Sequence, residues 1–436
     1  MCFVCFVREV SNPCLFSISV ICDEVYSNRF FVFAIPTTTK QFNYRARVLI
    51  TTSSSEPVHT TLTVPALGIE VHTTITRYDN ADITLPVAAR VSNAGTSDNS
   101  VIVKSSGDVT VHAFDNESHG NAGFLVLSTS QIGTEYRILN YEPSYNSGHP
   151  SFVTLTAIDQ ATSVQLVTRS EHELTIHLNP FQCYRYEAPY PEDLTGTSIN
   201  SDRLIQVTSG VFTYVPKGGS SGEGLLISVP PVDVWGQHFV LAPILTKTCG
   251  YIYRVISDNR TTATININNA TTVILQSSDF HEGDVEAEIM TEIHADKPVL
   301  VAKYMKNYYA CNARGDPAMI AVSPIAWYHK DVVTFPVFRT TVNRPKHYSI
   351  NVITSCNDTE SLVFDDTISM SGWVRLSLGN GSWCCVSGEV TPGVHSVAST
   401  SPSALFTVSI YMMCLPSSNS GCGTSYAYQA RSMYTG

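Results

Sequence analysis

The sequence predicts an all-β protein of about four serial β-sandwich-like repeats, each of roughly 95 residues. A short phenylalanine strand recurs as Phe31-Val32-Phe33, Phe124-Leu125-Val126, Phe239-Val240-Leu241 and Phe335-Pro336-Val337, at intervals of 93, 115 and 96 residues. A second strand follows each one, from Arg47 to Ile50, Tyr136 to Leu139, Tyr253 to Ile256 and Ile350 to Ile353. Each unit then closes on an alternating strand after a polar or proline-marked entry. Val109 and Val111, Ile205 and Val207, Val299 and Val301, and Phe406 and Val408 are expected to face the cores there. A register that returns at near-constant spacing signals stacked copies of one supersecondary unit. Helical periodicity is almost absent, and strand-like runs alternate with clusters of Gly, Pro, Asn, Asp and Ser. The alternative architecture is a β-propeller-like ring. Propeller blades take about 40 to 50 residues, however, and no second phenylalanine strand lies within a unit.

Taken in order, residues 1–27 read as an atypical leader or a truncated start. Met1 to Val7 is apolar without a basic lead, and Arg8-Glu9 interrupts it. The repeats are placed at 28–118, 119–218, 219–316 and 317–413, and 414–436 is a Ser/Gly/Cys tail. The connectors also repeat: Pro230-Pro231 precedes Trp235 and Phe239, and Ser323-Pro324 precedes Trp327 and Phe335. A proline turn and a buried tryptophan are therefore expected to seal each unit against the one before it. The 436 residues are 43% hydrophobic and 14% charged, enough apolar material for several cores. The net charge of -11, without any Lys/Arg cluster, argues against nucleic acid and anionic membrane surfaces as partners. No apolar run reaches the roughly 18 residues of a spanning helix.

The twelve cysteines follow no zinc-ligand spacing, and five acceptor sequons occur, at Asn116, Asn259, Asn269, Asn357 and Asn380. Asn259 and Asn357 fall where the central hairpins of units three and four should turn, exposed positions suited to a glycan. Together these features predict a secreted, extracellular glycoprotein. Cys249 precedes the central strand of unit three and Cys311 follows its closing strand, so the two are expected to be joined. Cys414 and Cys422 are expected to close a tail loop, and the vicinal Cys384 and Cys385 to bond to two different partners.

Four ordered motifs carry a resemblance. They are Asp193 to Ile199 with Val207 to Gly210, the entry from Pro230 to Phe239, Ala295 to Ala302, and Gly315-Asp316-Pro317 with its downstream Ser-Pro. Over roughly residues 28 to 412 the chain resembles the amino-terminal domain family of IgG Fc-binding protein, unit four being the weaker match. The resemblance implies a secreted, mucus- or matrix-associated binding and adhesion protein. Its implied partners are extracellular glycoproteins or mucins, with immunoglobulin and self-association also in view. Members of this kind often carry von Willebrand type D modules, and none is visible here.

Nothing in the residues points to catalysis, a cofactor or a metal. His172 and His177 approximate a metalloprotease HExxH, but the second His is one position late; on a strand the two rings point to opposite faces. The thirteen His residues show no cluster in sequence. A secreted carbohydrate-active enzyme would need a carboxylate pair, and the adjacent Glu192 and Asp193 on a strand would face opposite ways. A disulfide-linked structural matrix protein is the other alternative. Arg314-Gly315-Asp316 matches the integrin-recognised tripeptide, and Pro317 favours an extended loop there; Gly315 to Pro317 is already accounted for by the shared motif.

Overall fold

A computed structural model describes residues 29–38, 45–117, 120–143, 148–214, 223–244, 249–258, 260, 262–276, 279–306, 317–339, 346–375, 382–414 and 425–430. The first sandwich comprises β1 (Phe30–Ala34), β2 (Arg45–Thr51), β3 (Val58–Val64), β4 (Ile69–Ile75), β5 (Asn80–Leu85), β6 (Gly95–Ser97), β7 (Ser100–Ser105), β8 (Thr110–Glu117) and β9 (Gly120–Val126). Its two sheets have the orders β1-β7-β3-β4 and β5-β2-β8-β9. Period-two patterning aims one side of each strand inward, as in β5, where Ala81, Ile83 and Leu85 are buried and the residues between them are exposed.

The second sandwich follows with β10 (Gly133–Arg137), β11 (Ser151–Ala157), β12 (Thr162–Val167), β13 (Glu173–Leu178), β14 (Cys183–Glu187), β15 (Ser198–Tyr214) and β16 (Glu223–Ser228). The third has β17 (Gly236–Leu241), β18 (Tyr251–Ser257), β19 (Ala263–Ile267), β20 (Thr271–Leu275), β21 (Phe280–Val285), β22 (Thr291–Met305) and β23 (Met319–Ala321). In these two, one long strand does what β7 and β8 do separately. The first half of β15 pairs with β10 and β12, and its second half with β11 and β16. β22 divides itself in the same way between β17 and β19, then β18 and β23.

The fourth sandwich restores separate strands: β24 (Val333–Val337), β25 (Lys346–Ser355), β26 (Leu362–Phe364), β27 (Ile368–Ser369), β28 (Val374–Arg375), β29 (Trp383–Glu389), β30 (Gly393–Ser399), β31 (Phe406–Cys414) and β32 (Ser425–Gln429). The orders are β24-β30-β26-β27 and β28-β29-β25-β31-β32. The chain is thus all-β, with only single 3-10 turns as helical structure among the described residues. No helix among them is long and apolar enough to cross a membrane.

The four closing valines share one register. Val111 lies opposite Ile50, Val207 opposite Leu155, Val301 opposite Val255 and Val408 opposite Val352, all fully buried. The phenylalanine strands do not all correspond. Phe31, Phe239 and Phe335 lie in the opening strands β1, β17 and β24, but Phe124 lies in β9, the last strand of the first sandwich. The second sandwich opens instead on β10. There Tyr136 faces Ile199, as Phe239 faces Ile293 and Phe31 faces Val103. Each of these three partners stands eight residues before the register valine. With Tyr136 in place of Phe124 the intervals become 105, 103 and 96 residues, closer to uniform. Tyr136 to Leu139 is accordingly not a second strand; β11 is. The confusion is physical, because opening and closing strands are both covered by neighbours and both read as short apolar runs.

The closing strands explain this. β9, β16, β23 and β32 gather about one axis, β9 against β16, β16 against β23, β23 against β32, and β32 back against β9. The serial array therefore closes on itself. It is not a propeller of single-sheet blades: the first and fourth members each set two separate sheets around a core, and in the second and third the two halves are joined through the long strands β15 and β22. β32 also corrects the expected tail: Ser425 to Tyr428 are buried and paired with β31.

The connectors are shaped for these contacts. Trp235 is buried, with Nε1 donating to the Pro230 carbonyl, and Trp327 is half-buried, with Nε1 donating to the Val234 carbonyl. A Cβ on Gly133 would lie 2.7 Å from Cβ of Pro231, and one on Gly236 would lie 2.2 Å from Cβ of Pro324. The same close approach of proline turn to opening glycine thus seats two successive connectors.

Cys384 is joined to Cys356, 28 residues away, whereas Cys385 is a buried free thiol whose pKa burial pushes up to about 12. Adjacent strand residues face opposite ways, so the pair does not bond to itself, but only one of the two expected bonds forms, because Cys385 turns into an apolar cluster. Cys385 packs among Val240, Tyr328 and Ile353. Closing a loop of this length is worth roughly 3.5 kcal/mol in the chain-entropy picture. A Cys356→Ala/Cys384→Ala variant should lose about that much stability in urea denaturation, and an unchanged midpoint would show the bridge to be energetically idle.

Candidate functional site

One strand position faces out of every sandwich onto its neighbour. It is the residue just before the partner of the register valine, occupied by Leu49, Thr154, Arg254 and Asn351 and buried in all four. What stands there decides the chemistry of each seam.

Between the first and second sandwiches, Thr154 is paired across strands with Arg185, which is fully buried. Arg185 donates through Nη1 to the carbonyls of Thr37 and Val91, both 3.0 Å away, and through Nε to Glu187 at 2.9 Å. Its guanidinium carbon lies 3.7 Å from the Phe152 ring centroid and 4.5 Å from that of Phe212. Burial pushes its pKa down to about 10, against the pull of Glu187. β6 reinforces this seam by pairing with the edge strand β14.

Between the second and third, Arg254 reaches into the Asp193 turn. Nη1 donates to Asp193 Oδ2 at 2.5 Å, to the Asn140 carbonyl at 3.0 Å and to Thr195 Oγ1 at 3.0 Å, while Nε donates to Glu282 at 2.9 Å. The rings of Tyr141 and Phe280 lie 3.8 and 4.5 Å from its guanidinium carbon. Burial would lower its pKa, but the Asp193 carboxylate more than offsets this and holds it above the ordinary value. Between the third and fourth, Asn351 donates to the Pro243 carbonyl at 2.7 Å.

The closing seam is aromatic. Leu49 and Phe114 pack with residues of the fourth sandwich, Phe114 standing 4.6, 5.4 and 5.6 Å by ring centroids from Phe338, Tyr426 and Tyr428. Beside them, buried His112 donates from Nε2 to the Gln429 carbonyl at 3.0 Å, and its Nδ1 has no hydrogen-bond partner among the described residues. Burial lowers the His112 pKa to about 4. Its folded value thus lies below the unfolded value near 6.5, so the unfolded chain takes up the proton first as pH falls. Stability present above pH 6.5 should be lost progressively toward pH 4, by roughly 3 kcal/mol. Urea denaturation between pH 7.5 and 4 checks this: the wild-type midpoint should fall more steeply than that of His112→Phe.

Where the closing strands meet on the ring axis, a cavity of about 30 Å³ is lined by residues such as Phe124, Leu226, Ile320 and Tyr428. A small-molecule pocket occupies hundreds of Å³, so the axis is packed core and not a ligand channel.

The IgGFc binding protein family matches residues 122–411, from β9 through most of β31. The chain belongs to that family. No curated protein matches the chain. Among solved structures, a crystal structure of a tetra-tandem repeat in the extending region of a large adhesion protein aligns over 93% of this chain and 98% of that one, at 12% identity and a TM-score of 0.11. That likeness is too slight to bear on this chain.

The resemblance motifs of this IgGFc-binding family member fall on its scaffold. Asp193 and Thr195 hold Arg254, Val207 to Gly210 form the second half of β15, Pro230 to Phe239 make the connector, and Ala295 to Ala302 are the middle of β22. Ser170 donates to Glu192, whereas Asp193 is held by Arg254, so the two adjacent carboxylates have different partners. His172 and His177 are both exposed, and His177 lies opposite Ser163 in the β12–β13 pair.

Of the expected modification sites, Asn269 is exposed in a turn with φ 54°, and Asn357 is exposed just after β25. Asn116 lies in β8, with its side chain outside the description, and Asn259 and Asn380 lie outside the described residues. Cys249 is buried and disulfide-bonded. Cys311, Cys422 and the Arg314-Gly315-Asp316 tripeptide lie outside the described residues, and Cys414 ends β31 with its side chain undescribed.

Among the described residues two His side chains do cluster, contrary to the reading of the sequence. His238 on β17 and His294 on β22 stack with ring centroids 3.8 Å apart. Oε1 of Glu292, on the same face of β22, is 2.9 Å from His238 Nε2 and 3.2 Å from His294 Nε2. Burial chiefly lowers the His238 pKa; the Glu292 hydrogen bond opposes this and His294 adds to it. The Glu292-Ile293-His294 spacing was visible as a same-face strand pair, but only the β17–β22 register supplies His238.

Proposed function

We propose that the chain is an extracellular, non-enzymatic binding and adhesion protein that presents glycoprotein ligands, mucins or immunoglobulin Fc among them, with a broad surface on a rigid ring. The observation that carries this reading is where the buried polar chemistry is spent. Arg185, Arg254 and Asp193, the charged groups that an enzyme would place in a cleft, are committed to holding sandwiches together. The cavity on the ring axis is too small for a substrate. Membership of a family named for binding IgG Fc supports the same reading. Affinity would then be distributed over rims and edge strands, as in other broad interfaces. The test is surface capture of the purified full chain against IgG Fc fragments and purified mucin glycoproteins. Saturable binding to either is expected. Binding to neither, alongside turnover of a glycoside panel, would replace the reading with the carbohydrate-active one.

A further inference from the structure

The geometry points to a divalent transition-metal site, suited to zinc, formed by His238, Glu292 and His294 on the outer face of the third sandwich beside the fourth. The sheet itself builds the ligand set. Glu292 and His294 are two apart on β22 and therefore share a face, and His238 lies directly across from His294 on β17. The three ligand atoms all fall within 4.8 Å of one another.

The distances suit a small ion. Bonds of about 2.0 to 2.1 Å in tetrahedral geometry place ligand atoms roughly 3.3 Å apart. Glu292 Oε1 stands 2.9 and 3.2 Å from the two imidazole nitrogens, so an ion would need only small side-chain rotations to enter. Those rotations are available, because the His238 and His294 side chains are 33% and 43% exposed whereas Glu292 is 8% exposed. Glu292 is the fixed member: its backbone N–H is held by Asn268 Oδ1 at 2.7 Å.

Two imidazoles and one carboxylate form a nitrogen-rich set that favours zinc and its neighbours over calcium or magnesium, and three protein ligands leave a fourth position open. The competing arrangement is metal-free, with Glu292 simply accepting an N–H from each ring. The Trp383 ring, 6.1 Å from that of His238, gives an optical report from the same place.

The experiment uses the full chain, free of affinity tags and stripped with EDTA. Calorimetric titration with zinc chloride should show one saturable site per chain, and copper(II) should quench a tryptophan signal that is absent in Trp383→Phe. His238→Ala and His294→Ala should each weaken zinc binding about ten-fold or more, while exposed His172→Ala leaves it unchanged. Both ligand rings are partly exposed, so these variants should retain the wild-type circular dichroism. No zinc uptake by the wild-type chain, or uptake that survives His238→Ala and His294→Ala together, would overturn the site and leave a hydrogen-bonded carboxylate. Failure here is separable from failure of the Fc and mucin test, which does not require the metal.

Discussion

Arg254→Met should destabilise the protein by about 3 to 5 kcal/mol, the usual consequence of removing one member of a buried, hydrogen-bonded charge cluster. The Arg254 side chain is 3% exposed, and Asp193, which it neutralises, only 19%. Without the guanidinium, Asp193 keeps its charge against the seam, and the Asn140 carbonyl and Thr195 hydroxyl each lose a donor. Replacing the cluster as a whole, with Asp193→Asn and Glu282→Gln added to Arg254→Met, should recover roughly half of the loss, since no unpaired charge then remains. Arg260 serves as the control. It also makes two ion pairs, with Asp258 and Glu135, but its side chain is 58% exposed, and Arg260→Met should cost under about 1 kcal/mol. Urea denaturation measures all three; equal effects of Arg254→Met and Arg260→Met would remove Arg254 from any special role in the seam.

Phe114→Ala should cost a similar amount, about 3 to 5 kcal/mol, through the cavity left where the ring closes. Its location makes the result informative beyond its size. Phe114 belongs to the first sandwich, but its aromatic neighbours Phe338, Tyr426 and Tyr428 belong to the fourth. Amide hydrogen exchange should therefore accelerate in β32 and β24 as well as in β8. Acceleration confined to β8 would mean that the closing seam is not an energetic link between the first and last sandwiches.

The repeat was legible because core valines recur at fixed distance from apolar partners, a pattern that burial imposes on any sandwich. Its phase in the second sandwich was not. Phe124 is buried in the core of the first sandwich while Leu125 beside it lines the cavity on the ring axis, and no local property of Phe124-Leu125-Val126 separates that from an opening strand. Arg254 illustrates the limit from the other direction. A lone arginine inside Tyr251-Ile252-Tyr253-Arg254-Val255-Ile256 is an anomaly within an apolar run, yet its partner Asp193 lies 61 residues earlier in another sandwich. The metal candidate divides in the same manner, with two ligands set by strand alternation and the third by a pairing that only the folded sheet specifies.

Closure also changes how the array is finished. An open stack of four similar units has three interfaces and two bare ends, and such arrays ordinarily need specialised end units with polar outer faces to stay soluble. Here the aromatic faces of Phe114 and Tyr426 cover each other. The ring gains a fourth interface and has no end to protect, so every sandwich can keep an apolar flank, and the unit that would serve elsewhere as a cap is free to vary on its outer rim.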